Sequence, residues 1–154
     1  MGLEFNTLSW DNLLKQLGGE NAQRAERKIV GAVVKKLFTQ TKQNIQSRFP
    51  NSSSANPNYS DKIIDGLRSY VKKNDIYETE GIVHILGTRN KSSQTYKLRF
   101  YENGTQPRYT SNGAYRGMIK PLHFFGDAVS AVESQMMGIM QTELDNYISS
   151  INEG

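Results

Sequence analysis

Residues 94–104 read QTYKLRFYENG, and whether this run is extended or helical decides what sheet the chain can build. Tyr96, Leu98 and Phe100 alternate, which places three apolar side chains on one face of a strand. Leu98 and Tyr101 also match a three-residue step, so a helix competes for the same residues. On the strand reading, the run is the last member of a small antiparallel sheet. Its partners are Tyr70 to Glu80 and the β-branched IVHILG of residues 82–87, with Thr88 to Ser93 as a polar turn.

Moving outward, two long helices flank these strands. From about Glu20, Ala22, Ala25, Ile29, Val33, Leu37 and Ile45 recur at steps of three and four or their multiples, and Pro50 stops the pattern. After Pro121, the residues Phe125, Val129, Val132, Met136, Ile139, Met140, Leu144, Tyr147 and Ile151 do the same over about seven turns. Met136, Met137 and Met140 fall on or beside that stripe and are expected in the core. The opening GLEFNTL suits a short strand and SWDNLLKQLGG a short helix capped by Ser9 and stopped at Gly18 and Gly19. FPNSSSANPNYSD, rich in Ser, Asn and Pro, is expected to be a mobile loop, and Ser60 caps the helical piece DKIIDGL.

The expected fold class is α+β: a small antiparallel sheet packed against two long amphipathic helices, with a long loop between the last strand and the C-terminal helix. A chain of 154 residues suits one domain. Its expected divisions are an N-terminal strand and short helix over 1–19, a basic helix over 20–49, a flexible loop over 50–60 and a short helix with the sheet over 61–104. A projecting loop over 105–122 and a helix over 123–151 complete it.

Net charge +4 and pI near 9.3 can steer a protein toward phosphates, and the distribution is uneven. Arg24, Arg27, Lys28, Lys35, Lys36, Lys42 and Arg48 crowd the first long helix, whereas only acidic charges follow Lys120. The basic helix reads either as a solvated face or as a phosphate-binding footprint. A further reading pairs the acidic last helix of one subunit with the basic helix of the next. The chain has no cysteine, so disulfides, thiolate metal sites and cysteine nucleophiles are excluded. No signal-peptide pattern opens it, and its longest apolar run, IVGAVV, is too short to cross a bilayer; a non-secreted protein without membrane association is expected.

Catalytic patterns are missing. His84 and His123 have no ligand partner at helical spacing, and no nucleophile elbow, phosphate-binding glycine loop or dinucleotide fingerprint occurs. Glu78 and Glu80, two apart on a strand, read as a solvated face. No enzyme, cofactor or metal is expected, and interest shifts to YENGTQPRYTSNGAYRGMIKPLHFF, residues 101–125. So long a connection is usually functional or disordered, and its aromatic content argues against disorder. Asn103 and Gly104 suit a sharp turn with positive φ at both positions. Arg108, Tyr109, Tyr115 and Arg116 are of the types enriched at interface centres, while Pro121, Leu122, Phe124 and Phe125 re-anchor the chain.

The run TYKLRFYENGT, with Tyr96, Phe100, Tyr101, Glu102, Gly104 and Thr105, and then IKPLHFFGDAV, resembles the tail-completion or head–tail joining proteins of tailed bacteriophages. Lys120 stands where that family usually has arginine. LSWDNLLKQLGG with the following basic helix, and the Leu67, Arg68, Ser69 step, are similar to the family's first half, so the resemblance spans most of the chain. The family's usual P-V-D-T-G loop is replaced by PNSSSANPNYSD. The resemblance implies a structural virion protein, assembled in the bacterial cytoplasm, forming a ring of six or twelve copies at the head–tail junction. Portal, adaptor or tail proteins would be its neighbours, and genomic DNA would pass through without sequence-specific binding. The partner-facing residues would be Tyr101, Glu102, Gly104, Thr105, Pro107, Arg108, Tyr109, Tyr115, Arg116, Pro121 and Phe124. The alternative is a nucleic-acid-binding module that uses the basic helix with Tyr109 and Tyr115 as stacking platforms.

Overall fold

The computed structural model describes residues 18–48, 64, 66–73, 79–85 and 97–153. Its elements run α1 (Gly19–Arg48), β1 (Leu67–Lys73), β2 (Thr79–Ile85), α2 (Leu98–Asn103), β3 (Arg108–Tyr109), β4 (Tyr115–Gly117) and α3 (Phe124–Asn152). The class is α+β: two long helices with two antiparallel two-stranded sheets, β1 with β2 and β3 with β4. The opening strand and helix, the loop over 50–60 and the turn over 88–93 lie outside the described residues.

Two corrections concern the middle of the chain. Residues 98–100, expected as strand, belong to α2, and the expected three-stranded sheet has only β1 and β2 among the described residues. Leu98 is fully buried and Glu102 nearly so, an i, i+4 pair that shares one helical face, while Phe100 is 47% exposed on another. Asn103 does not take positive φ; Gly104 alone does, where α2 ends.

The chain divides into two compact units. The first comprises the described parts of Met1–Leu37, Ser69–Val83 and Ala131–Gly154. Its core joins Ala25, Ile29, Val33, Val34 and Leu37 of α1 to Val132, Met140, Leu144 and Tyr147 of α3. The apolar stripes form for the reason their spacing gives: three- and four-residue steps bring these side chains to one side of each helix. Met140 is buried, Met136 is half-buried and Met137 is 59% exposed, so only part of the methionine group serves the core. Gly18 at φ 72° and Gly19 at φ 40° open α1, with the Gly18 carbonyl accepting from the Asn21 and Ala22 amides. Glu20 in the first turn suits the positive end of the helix dipole.

The β1–β2 ribbon attaches to α1 through polar and close apolar contacts. Glu26 accepts a hydrogen bond from the Thr79 amide at 2.9 Å, and Lys73 donates to Gln23 at 2.9 Å. Lys72 pairs with Glu80 at 3.3 Å. Gly81 sits where a Cβ would fall 2.1 Å from Val34 Cγ2 and 2.9 Å from Val30 Cγ1. Gly81→Ala is therefore expected to cost about 2 kcal/mol through forced repacking, read as a lowered chemical-denaturation midpoint with unchanged slope.

The second unit comprises the described parts of Phe38–Arg68 and His84–Ser130. Phe124, Ile45, Leu67, Leu98 and Ala128 are almost wholly buried in it, joined by Ile64 and the polar Thr41. Full burial of Phe124 alone is worth roughly 1.5–3 kcal/mol, which anchors the start of α3 and so the far end of the 104–123 connection.

Candidate functional site

The connection from Gly104 to His123 is an ordered β-hairpin on a closed root. The Thr105 amide donates to the Ile119 carbonyl at 2.9 Å, and the Ile119 amide donates to Thr105 Oγ1 at 2.9 Å. One threonine thus supplies both bonds that close the root. Beyond the root, β3 and β4 pair with Arg108 opposite Gly117 and Tyr109 opposite Tyr115, leaving Arg116 as the extra residue of a bulge. At the tip the Thr110 amide donates to the Ala114 carbonyl, the Gly113 amide to the Thr110 carbonyl, and the Ala114 amide to Thr110 Oγ1. Gly113 at φ 78° supplies the left-handed residue that a three-residue hairpin loop requires.

Tyr109 and Tyr115 lie across the ribbon with ring centroids 5.6 Å apart and planes tilted by 59°. Such a cross-strand pair contributes roughly 0.5–1.5 kcal/mol, useful to a two-stranded ribbon that is marginal by itself. Yet the rings stay 62% and 60% exposed. Pro107, Arg108 and Arg116 are exposed beside them, and Met118 shows 47% of its surface. This unit therefore presents an aromatic and apolar surface bordered by two guanidinium groups, held on a pinned ribbon.

What pins it is the Glu102–Gly104–Thr105 segment. Glu102 Oε2 accepts from the Phe125 amide at 2.8 Å and Oε1 from the Gly126 amide at 2.9 Å. These are donors of the first turn of α3, normally satisfied by a Ser, Thr, Asp or Asn at the cap. Here the capping position falls at His123, whose φ of 46° is unusual for a side-chain-bearing residue, and a carboxylate from α2 does the work. Its negative charge also meets the positive end of the α3 dipole. Gly104 adopts φ 72°, ψ −179°, a region populated essentially by glycine. A Cβ there would lie 2.9 Å from the Ile119 carbonyl oxygen and 2.9 Å from Pro121 Cδ.

The same junction receives the end of α1. Arg48 donates to the Leu122 and His123 carbonyls at 2.9 and 3.2 Å and pairs with the Asp127 carboxylate, while Asn44 Nδ2 donates to the Phe124 carbonyl at 2.9 Å. The Leu122 amide donates to the Tyr101 carbonyl at 2.6 Å.

Of the residues expected to face a partner, Pro107, Arg108, Tyr109, Tyr115, Arg116 and Pro121 are exposed; Tyr101, Gly104 and Thr105 are half-buried around the root. Glu102 and Phe124 are corrections: both are buried in their own chain, Glu102 because α3 needs its carboxylate and Phe124 because it is core. Phe100 and Met118 join the exposed set unannounced. Phe100 was hidden by the strand reading, which assigned it the same face as Leu98; a helical step of two residues rotates it by about 200° to another face.

The basic face of α1 is partly engaged within the chain. Arg24 pairs with Glu20 at 3.4 Å, Lys28 stands 5.0 Å above the Tyr147 ring centre, and Arg48 holds the α3 junction. His84 is half-buried in β2 and His123 exposed before α3. Among the described residues no group of three His, Asp or Glu side chains could hold a metal ion, and no helix is long and apolar enough to cross a membrane. No known protein family, curated protein or solved structure matches the chain. The residues themselves carry the functional reading.

Proposed function

We propose that this chain is a non-enzymatic structural subunit of a tailed-bacteriophage head–tail junction. It assembles with copies of itself into a ring, and the 105–119 hairpin is the arm that grips a neighbouring subunit or an adjoining virion protein. One observation carries the proposal: the hairpin leaves Tyr109 and Tyr115 about three-fifths exposed while its root is fastened by Glu102 to Thr105, the segment on which the family resemblance rests. Exposed paired tyrosines next to arginines combine large contact area with few rotatable bonds and forked donors, which favours burial against a partner. Ring closure holds each subunit on two sides and turns a weak pair contact into a stable assembly.

The nucleic-acid reading keeps the cationic side chains left along α1 and the exposed Tyr109 and Tyr115, and loses Arg48, which is taken up at the α3 junction. Salt titration with short DNA separates the two. Binding with a steep salt slope favours the nucleic-acid module, and assembly indifferent to DNA favours the connector.

The direct test removes the anchors. Tyr109→Ser with Tyr115→Ser should weaken assembly, measured by native mass at fixed concentration or by incorporation into particles, by about 100-fold, the equivalent of two interface hot spots of modest size. The circular-dichroism spectrum should stay as in the parent. Unchanged assembly mass after this substitution, or after deletion of residues 106–117, would overturn the arm.

A further inference from the structure

The two long helices carry opposite charge. α1 has seven basic and two acidic residues; α3 has four acidic residues and no lysine or arginine. Arg48 with Asp127 is the ion pair linking the two sets among the described residues, which leaves Glu133, Glu143 and Asp145 of α3 without a lysine or arginine partner there. Arg27 has neither a hydrogen bond nor an ion pair among the described residues. It lines an open groove of ≈ 620 Å³ with Arg24, Lys28 and Asn21 of α1 and Ser150 and Ile151 of α3, all in the first unit.

On the same α3, Ser134, Gly138 and Thr142 form an exposed stripe of small residues beside Met137 and Glu143. Space is open above Gly138, where a Cβ would meet nothing within 4 Å. The Thr142 hydroxyl donates to the Gly138 carbonyl at 2.8 Å and the Ser134 hydroxyl to the Ala131 carbonyl at 2.8 Å. The two hydroxyls of this face are thus satisfied before anything covers them, so covering them costs little. At 100° per residue, the 134, 138 and 142 stripe and the groove positions 147, 150 and 151 fall on roughly opposite sides of α3.

We infer that the acidic small-residue face of α3 in one copy docks into the basic groove beside Arg27 of a second copy. Charge complementarity selects the occupant: the groove supplies Arg24, Arg27 and Lys28, and the stripe has Glu143 in its lining and Asp145 beside it. Because the two surfaces lie on different sides of α3, every copy can act as donor and acceptor at once. That contact is heterologous and propagates from copy to copy until rotation closes it. The inference rests on the ring reading above for its partner, and it builds a subunit contact from residues of the first unit alone.

The absence of cysteine makes the test direct. Ser134→Cys and Ser150→Cys, prepared as two separate full-length variants and mixed under mild oxidation, should give covalent dimer at about five times the yield of either variant alone, since only the mixture aligns stripe with groove. Raising salt to about 0.5 M should reduce the yield several-fold. Arg27→Glu in the Ser150→Cys copy should do the same, and Glu143→Arg in the Ser134→Cys copy should restore it. Equal yields from mixed and single variants, or a yield blind to salt and to Arg27→Glu, would overturn the contact. So would salt-sensitive binding of a short DNA duplex, lost in Arg27→Glu, with no cross-link between copies. Native mass recorded on the same samples keeps the two ideas apart: hairpin-dependent assembly without the 134–150 cross-link removes this contact and leaves the ring reading standing.

Discussion

Gly104→Ala is expected to destabilise the chain by about 3 kcal/mol, the sum of a backbone conformation reserved for glycine and a steric conflict with main-chain atoms. The conformational part follows from φ 72° with ψ −179°. The steric part follows from the two 2.9 Å approaches, to the Ile119 carbonyl oxygen and to Pro121 Cδ. Neither neighbour is the free end of a flexible side chain. Ile119 is tied back by its carbonyl to the Thr105 amide, and Pro121 has a fixed φ. A loss of this size lowers the melting temperature by roughly 6–12 °C in a chain of this length, measured by circular dichroism at 222 nm. Had Gly104 been a mere loop residue, alanine would have been neutral or mildly stabilising through the unfolded chain. A melting point at or above the parent's therefore refutes the proposed role of this glycine.

Glu102→Ala should cost a similar amount, about 3 kcal/mol, because two amides of the first turn of α3 lose a charged acceptor in a nearly buried place. Glu102→Gln retains one acceptor oxygen and loses the charge, so it should fall between, at about half the cost. The ordering parent, Gln, Ala in thermal melts is the diagnostic result. Equal melting points for the Gln and Ala variants would mean that the carboxylate does not cap α3. The two substitutions act on one junction, so the double variant should lose less than the two single losses added together. Amide hydrogen exchange offers a local view, since Phe125 and Gly126 should lose protection in Glu102→Ala ahead of the middle of α3.

The long helices were legible because burial imposes their period. Ala25, Ile29, Val33 and Leu37, and then Val132, Met140, Leu144 and Tyr147, are buried where the three- and four-residue steps placed them. α2 was legible only as the competing reading of its residues, for a specific reason. Its inward face is Leu98 and Glu102, and a glutamate at the i+4 position erases the apolar period that would have betrayed it. The alternation of Tyr96, Leu98 and Phe100 then favoured a strand. Nothing local announces that a carboxylate will turn inward to serve a helix beginning 22 positions later.

The hairpin was half legible. Its tyrosines and arginines stood out by composition and are exposed, but the pairing of β3 with β4 rests on Thr110 and Gly113 at the tip and on Thr105 and Ile119 at the root. The tip bonds join residues three or four positions apart and the root bonds residues 14 apart, in sequence patterns that also occur in irregular loops. Glu102 and Phe124 were assigned to the partner because they lie in the runs that carry the family resemblance, although Phe124 was also read as re-anchoring the chain, and membership of a motif says nothing about which way a side chain turns. The division of the chain into two units has no marker in composition, since each draws on both long helices.

The threonine clasp at the hairpin's root has an implication for engineering. Because Thr105 and Ile119 fasten the two legs to each other, the distance between the chain's exit and re-entry is set below the ribbon, independent of what the ribbon contains. A foreign peptide or affinity epitope grafted between Asn112 and Gly113 would ride on that clamp with its ends already brought together, making the segment a natural display position.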